Sequence, residues 1–418
     1  MNITQEIKVR FNDMQSKDDL LALLNFVRPE VFPDVPFLFT MDQLNKNITY
    51  HLPNQITDKV ASNSIIDVME KFGIKGYGGK YITFQIRKKS GSLRTIHAPN
   101  NGLKAILKCI NYILQAIHTP HKNAFGFVPN KSIVDNARKH EDQNYVYNLD
   151  LKDFFPSVDQ ARVRGRLLVA PFHLDSSPER VKLASILAIL CCHRMDVERW
   201  DETTQKWGTK KLNVLPQGAP TSPTITNMIC ERLDIRLTKI AAEHNCKYSR
   251  YADDITFSSM HNIYQMGSPF LSKMEEIIKA ENFYIQPSKT RLQKRGYKQE
   301  VTGLIVNEKA NVNSRYVKEL RHWLYLWERY GYDKASDLFM VKYHNNKGHV
   351  KSGNPKLENV LWGKLEYLKM VKGYNNPLYI KLNFRYEQLM SQNIDHIIDV
   401  WEKEGIEQVL LKFNAQPS

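Results

Sequence analysis

RYADDITFSS, residues 250–259, places two adjacent carboxylates between two short runs of apolar, β-branched and aromatic residues. The longer stretch 247–259 predicts two strands joined by a tight turn. Aspartate is among the commonest turn residues, so a polar turn is one explanation of Asp253 and Asp254. A functional site requires a third carboxylate, elsewhere in the chain, that shares a metal ion with this pair.

A third acid is found in NLDLKDFFPSV, residues 148–158. Asp150 ends an alternating strand, 144–151, whose other face is apolar. An acid at the end of a core strand is costly to bury unless a cation or hydrogen-bond donors compensate it. With Asp253 and Asp254 it would place three carboxylates at the rim of one sheet, the arrangement that two Mg²⁺ ions need for phosphoryl transfer. Hard oxygen ligands and phosphate favour magnesium over zinc.

The composition is that of an ordinary globular protein with an excess of basic residues. The 418-residue chain has 59 lysines and arginines against 44 acidic residues, a formal net charge of +15. This excess points to a polyanionic partner contacted through many phosphates, although a basic surface tuned for solubility is the alternative. The length suits two or three packed subdomains.

Membrane, secretion and disulfide signals are not evident in the sequence. The longest apolar run, LASILAILCC at 183–192, is shorter than the roughly 20 residues of a membrane span and predicts a buried helix. The N-terminus lacks the apolar stretch of a signal peptide. The five cysteines form no Cys-x-x-Cys pair, which favours reduced core thiols over a zinc site or disulfides. We therefore expect a cytoplasmic protein.

Local patterns divide the chain into a mixed α/β body and a helical C-terminal third. Residues 78–100 alternate around a Ser-Gly turn, which predicts a β-hairpin, and a helix is expected at 101–118. The segment 208–237 runs from a strand through a Gly/Pro loop into a helix. Beyond about residue 313 the apolar spacing is that of amphipathic helices.

In this order, the motifs resemble the palm of a reverse transcriptase. The first Asp motif is followed by LPQGAPTSP at 215–223, YADD at 251–254, KT at 289–290 and VTGLIVN at 301–307. The resemblance covers roughly residues 78–307, and a compatible helical region follows. It implies an α+β, right-hand polymerase fold with fingers, an antiparallel-sheet palm and a helical thumb.

The resemblance also implies a division of the chain into domains. The boundaries are an N-terminal helical extension at 1–60, fingers at 61–140, a palm at 141–307 and a thumb at 308–418. Inserted helices and a hairpin are expected inside the palm at about 160–212. The role of the extension is open, and packing against the fingers or against RNA is the expectation.

Two shorter motifs resemble the markers of retron reverse transcriptases. NARKH at 136–140 fits an Asn-Ala-x-x-His element, and VTG at 301–303 fits a second marker of that group. A helix end with polar caps is the alternative explanation of the first motif. The resemblance implies RNA or primer contacts by Asn136, His140, Val301, Thr302 and Gly303.

For the metal site, the resemblance implies that Asp150 and Asp253 bridge two Mg²⁺ ions. Asp254 would complete the site, and the backbone carbonyl of Leu151 would be a further ligand. Asp153 is expected to cap the turn or helix that follows it and is left out of this set.

Around the incoming nucleotide, the resemblance implies a steric gate at Phe155, five residues after the first Asp. Its ring would exclude the 2′-hydroxyl of a ribonucleotide; the alternative is that Phe154 and Phe155 are both core residues. Gln217 would face the nucleotide, since Pro216 and Gly218 fix a sharp turn and glycine permits close backbone approach.

Three basic side chains are implied in contacts with the triphosphate. Arg94 and Lys88 lie on the predicted fingers hairpin, where a solvated charged face is the alternative. Lys289 resembles the lysine that protonates the leaving pyrophosphate, a general-acid role for which an ordinary surface lysine is the rival explanation.

The predicted activity is RNA-directed DNA polymerisation, with attack of a 3′-hydroxyl, or initially an RNA 2′-hydroxyl, on the α-phosphate of a dNTP. Resemblance to retrons implies a structured noncoding RNA as template and primer, an RNA–DNA product, an effector protein encoded nearby and a role in antiphage defence. The alternatives are a non-retron defence-associated reverse transcriptase and an intron-type maturase or RNA-binding protein. The lack of a Cys-x-x-Cys motif after residue 307 disfavours a complete intron enzyme. The oligomeric state is open.

Overall fold

The computed structural model describes residues 2–49, 80–87, 91–345 and 353–404. Three helices open the chain: α1 (Ile3–Asp13), α2 (Lys17–Val31) and α3 (Met41–Thr49). Ser16 and Asp19 form a capping box that fixes the start of α2. Since the apolar faces of these helices join the largest hydrophobic core, the N-terminal extension is packed against the protein body.

A two-stranded antiparallel hairpin follows, as the alternation of 78–100 predicts. It consists of β1 (Tyr81–Arg87) and β2 (Leu93–Pro99), and α4 (Asn101–Ile117) comes directly after it. The side chain of Asn100 caps α4 by accepting from the backbone N–H of Leu103. Lys88, for which we expect a triphosphate contact, lies outside the described residues.

The central sheet has four antiparallel strands in the order β6-β7-β3-β8. They are β3 (Tyr145–Asp150), β6 (Lys247–Tyr251), β7 (Asp254–Ser259) and β8 (Arg291–Lys294). One face of β3 packs Tyr147 and Leu149 into the largest core. The opposite face carries Asn148 and Asp150, because successive strand residues point to opposite sides. This polar face carries the candidate site.

The other elements of the body surround this sheet. Helix α5 (Ile133–Arg138) precedes β3. Between β3 and β6 lie α6 (Gln160–Leu168), α7 (Pro178–Cys191), the hairpin β4 (His193–Asp201) and β5 (Lys206–Val214), α8 (Ser222–Ile229) and α9 (Glu231–Glu243). Helix α10 (Pro269–Ala280) follows β7, and a short 3-10 turn (Pro287–Lys289) precedes β8. Helices α6 and α7 and the hairpin of β4 and β5 together occupy residues 160–214.

A second hydrophobic core lies in the C-terminal third. A short hairpin, β9 (Glu300–Val301) and β10 (Leu304–Ile305), leads into α11 (Ser314–Tyr330), α12 (Tyr332–Asn345), α13 (Leu357–Lys372) and α14 (Pro377–Glu404). This core also includes Val134 and Ala137 of α5 and Val146 of β3, so the helical region is packed onto the central sheet.

The cysteines agree with the expectation of reduced thiols in the core. All five cysteines are free thiols, and four of them are buried. Within the described ranges, no helix combines the length and the apolar character that crossing a membrane requires.

Candidate functional site

The two acids of the YADD stretch lie at the turn between β6 and β7. Ala252 adopts a left-handed backbone conformation with φ of 59°, which is uncommon for a residue with a β-carbon. Asp150 is the cross-strand partner of Asp254, and the N–H of Leu151 donates to the carbonyl oxygen of Asp253 over 3.0 Å. The structure therefore brings three acids from distant parts of the sequence to one end of one sheet.

Burial and mutual repulsion raise the pKa values of two of these carboxyls, those of Asp253 and Asp254. Burial and the neighbouring charge of Asp150 raise the pKa of Asp253. Asp254 is exposed at the start of β7, yet desolvation of its carboxyl and the charges of Asp253 and Asp150 raise its pKa to about 6. A cluster of carboxyls that repel each other in this way is stabilised by a bound cation.

Lys289 supplies one such positive charge. Its Nζ lies 2.6 Å from Oδ1 of Asp150, and the lysine side chain is 54% exposed. Backbone pairing holds this segment in place: the N–H of Lys152 donates to Tyr284 over 2.7 Å, and the N–H of Gln286 donates to Asp150 over 2.8 Å. The structure therefore places Lys289 beside Asp150.

Oxygen ligands of the three acids suit a hard divalent cation, although their side chains are not gathered around one point. Among the described residues, no three His, Cys, Asp or Glu side chains converge closely enough to hold a metal ion. Asp150 is instead paired with Lys289. The residues present fit a divalent ion by their chemistry, because carboxylate oxygens are the preferred ligands of such cations and the raised pKa values of Asp253 and Asp254 reflect burial and repulsion that a cation would relieve.

The two neighbouring phenylalanines occupy different environments. Phe154 is 4% exposed and belongs to the core. Phe155 is half-buried, with its ring centroid 5.5 Å from that of Phe154 and 6.0 Å from that of Phe127, which is 44% exposed. Of the two, only Phe155 therefore has a side chain that a ligand at the surface can reach.

The loop with Gln217 is attached to the fingers hairpin. The N–H of His97 donates to the carbonyl oxygen of Gln217 over 2.8 Å. A β-carbon at Gly218, whose φ is 130°, would lie 2.7 Å from the carbonyl oxygen of His97. The close approach expected at this glycine is thus made to the hairpin. Arg94 lies on the same strand, and its charge acts to lower the pKa of Asp253.

Two expected RNA contacts, Asn136 and His140, require correction. These residues are 1% and 0% exposed, so neither side chain has a surface that RNA can reach. Both ring nitrogens of His140 lie 2.7 Å from serine hydroxyls, those of Ser258 on β7 and Ser249 on β6. The histidine therefore ties two strands of the sheet to the end of α5.

The three residues of the VTG stretch differ in how far they are exposed. Val301 is 0% exposed and packs in the second core, so a direct nucleic-acid contact by this side chain is also wrong. Thr302 and Gly303 form the turn between β9 and β10, with φ of 47° and 81°. The hydroxyl of Thr302 donates to the carbonyl oxygen of Ile133, at the start of α5, over 3.1 Å. This bond joins the VTG turn to α5, the helix that also carries Asn136 of the other marker motif.

One further basic residue at the site was missed in the sequence. Arg291 begins β8, and its positive charge acts with that of Lys289 to lower the pKa of Asp254. Lys289 lies in the 3-10 turn and Arg291 in β8, so no strand periodicity related the two residues in the sequence.

Comparison with known proteins places these features in a family. Residues 86–307 match the family of reverse transcriptases (RNA-dependent DNA polymerases). The retron Mx162 reverse transcriptase of Myxococcus xanthus is 38% identical over 240 residues, which cover 54% of this chain and 47% of that protein. The retron Mx65 reverse transcriptase of the same organism is 35% identical over 252 residues, covering 59% of this chain and 55% of that protein.

A third relative is matched over a larger share of its own length. The retron Ec86 reverse transcriptase of Escherichia coli is 32% identical over 249 residues, which cover 58% of this chain and 68% of that protein. The chain thus spans about half the length of the two Myxococcus relatives and two thirds of the third.

Proposed function

The chain belongs to the reverse transcriptase family, in its retron type, and we propose that it synthesises DNA on an RNA template at the site formed by Asp150, Asp253 and Asp254. The observation that carries this proposal is the pairing of Asp150 with Asp254 beside the turn that bears Asp253. Family membership and the arrangement of helices and antiparallel sheet identify the right-hand polymerase fold. We place the fingers at 61–140, the palm at 141–307 and the thumb at 308–418.

Each turnover forms one phosphodiester bond. The 3′-hydroxyl oxygen of the primer attacks the α-phosphorus of a dNTP, and the bond from that phosphorus to the bridging oxygen breaks, so that pyrophosphate leaves. When bound by the three acids and the carbonyl of Leu151, two Mg²⁺ ions would activate the attacking oxygen and stabilise the leaving oxygen. Divalent-metal dependence follows from the family in general, and the choice of magnesium rests on the oxygen ligands.

The protein's own side chains would position the nucleotide and move a proton. Lys289 gives a proton to the leaving pyrophosphate, a role supported by its place beside Asp150. Arg94 and Lys88 bind the triphosphate, Gln217 lies against the nucleotide, and Phe155 blocks a 2′-hydroxyl. Hydrogen bonding between His97 and the Gln217 loop supports a pocket in which the fingers hairpin and this loop act as one wall.

The RNA partner is proposed from the relatives and from charge. The net charge of +15 suits a polyanion, and the retron relatives favour a structured noncoding RNA as both template and primer. Exposed Gly303 and the adjacent Thr302 are the proposed primer contacts of the VTG turn. Retron-type antiphage defence, with an effector protein encoded nearby, is the proposed setting.

Primer extension tests the polymerase proposal. Wild-type protein should extend a primer on an RNA template with dNTPs and Mg²⁺, and Asp150→Asn, Asp253→Ala and Asp254→Ala should each lose activity by about 10³-fold or more. Asp153→Asn is the matched control, since this exposed acid is near the site but outside the proposed ligand set. If all three variants extend primer as well as wild type, the metal-site assignment is lost.

A second measurement distinguishes retron-type DNA synthesis from the alternative functions. RNA that co-purifies with the protein should be one structured species joined to DNA through a 2′,5′ linkage. Product DNA without that linkage would favour a non-retron defence-associated reverse transcriptase. Tight RNA binding with no DNA synthesis would favour an intron-type maturase or an RNA-binding protein.

A further inference from the structure

A fully buried ion pair lies beside the catalytic turn, residues 251–254, which carries Asp253 and Asp254. Arg250 and Asp234 are both 0% exposed. The Nε and Nη2 atoms of Arg250 donate to Oδ1 and Oδ2 of Asp234 over 2.8 and 2.7 Å, a two-pronged contact between α9 and β6. The hydroxyl of Tyr248 donates to the same Oδ1 over 2.6 Å. This pairing fixes the plane and the direction of the guanidinium group.

The remaining nitrogen of Arg250 is directed at the catalytic turn. Its Nη1 donates to the carbonyl oxygen of Ala252 over 3.2 Å and to Oδ1 of Asn227 over 3.0 Å. Ala252 is the left-handed residue of the turn and directly precedes Asp253. A residue with a β-carbon keeps such a conformation only where its surroundings hold it.

The backbone of Gly126 makes a second contact with the turn. The side-chain amide of Asn227 donates to the carbonyl oxygen of Gly126 over 3.0 Å. A β-carbon at Gly126 would lie 2.3 Å from the backbone nitrogen of Ala252 and 2.9 Å from the carbonyl carbon of Tyr251. The backbone of Gly126 therefore lies directly against the turn, and Asn227 links it to Arg250.

We propose that Arg250 is a positioning residue, which holds the carbonyl of Ala252 and thereby sets Asp253 against Asp150. The inference rests on the proposed polymerase function, because it assigns the catalytic importance of the turn to that reaction. A purely structural ion pair would need only the two nitrogens that contact Asp234. The third contact, to the turn itself, is what the positioning role explains.

Arg250→Lys separates these two roles. Lysine keeps a cation opposite Asp234, but its single ammonium group lacks the fork that reaches Asp234, Asn227 and Ala252 together. Tyr248→Phe is the matched control, because it removes a buried hydrogen bond from the same carboxylate and leaves the turn untouched. Asn227→Ala is a second variant, which breaks the link to Gly126 while the ion pair stays intact.

Two measurements are made on the full chain. The first is amide hydrogen exchange at residues 251–254 without metal or nucleotide, which does not depend on catalysis. The second is steady-state dNTP incorporation, with kcat separated from KM. We expect Arg250→Lys to exchange faster at the turn and to lose about 10²-fold in kcat with KM nearly unchanged, since small misplacements of reacting groups cost this much. Tyr248→Phe should lose stability but match wild type in both measurements.

Each possible result either supports the positioning role of Arg250 or contradicts it. Wild-type exchange and kcat in Arg250→Lys would overturn it, as would equal losses of kcat in Arg250→Lys and Tyr248→Phe. If Arg250→Lys does not fold, Asn227→Ala decides in its place, with faster exchange at the turn expected and wild-type exchange contradicting the proposal. If wild-type protein extends no primer, the polymerase proposal fails, whereas the exchange data still show whether Arg250 holds the turn.

Discussion

Lys289 lies with its Nζ 2.6 Å from Oδ1 of Asp150, so a proposed general acid is paired with a proposed metal ligand. If the lysine gives a proton to pyrophosphate, Lys289→Ala should lower kcat by about 10²-fold, a typical contribution of general acid catalysis. Single-nucleotide incorporation at saturating dNTP measures this loss. Lys294→Ala is the control, since this exposed lysine lies at the far end of β8, the strand that follows Lys289, opposite Tyr145. Equal rates in the two variants would exclude a catalytic role for Lys289.

Gly126 is the subject of a second prediction. Alanine there would place its β-carbon 2.3 Å from the backbone nitrogen of Ala252, and neither backbone can move without disturbing the turn. We expect Gly126→Ala to destabilise the protein by about 1–3 kcal/mol, as overpacking does, and to lose most primer extension. Chemical denaturation and an extension assay check both effects.

Gly165→Ala is the matched control for Gly126→Ala. Gly165 lies inside α6, and a β-carbon there would meet nothing within 4 Å. The variant should therefore be more stable than wild type by up to about 1 kcal/mol, because alanine favours the helix, and should extend primer normally. If both alanine variants behave alike, the close approach at Gly126 is not important for the turn.

Whether a structural feature could be predicted from the sequence depends on how far apart in the chain its interacting residues lie. The strands of 247–259 and the helix at 101–118 follow from local spacing, and the structure contains both. The environment of His140 does not follow from local spacing, because its partners Ser249 and Ser258 come 109 and 118 residues later. The sequence around His140 has no local sign that this histidine is buried.

For Arg250, the sequence signals a buried partner but does not identify that partner. It alternates with Tyr248 on β6, so a charge stands at a position whose neighbours face the core. That pattern signals a buried partner, since an unpaired charge in a core is very costly. The identity of the partner, Asp234 on α9, depends on how the helix packs against the sheet and could only come from the structure.

Phe155 gives a prediction about substrate choice. Replacement by alanine should raise the incorporation of ribonucleotides relative to deoxynucleotides by about 10-fold or more, because the ring no longer opposes the 2′-hydroxyl. The ratio of kcat/KM for GTP and dGTP measures the effect. Phe154→Leu, in the neighbouring core residue, should cost stability and leave the ratio unchanged. An unchanged ratio in Phe155→Ala would remove its assignment as the gate.

His140 predicts how stability depends on pH. Burial first, and the charges of Lys139 and Lys247 second, lower the pKa of the folded-state histidine to about 3, whereas an unfolded histidine titrates near 6.5. Between these values the unfolded chain binds a proton that the folded protein does not, so stability falls as the pH decreases below about 6.5. We expect His140→Gln to lose this dependence, making its stability curve shallower by about 1.4 kcal/mol per pH unit between pH 6 and pH 4.5. Denaturant unfolding of both proteins across that range measures the slopes, and parallel curves would contradict a neutral, buried histidine.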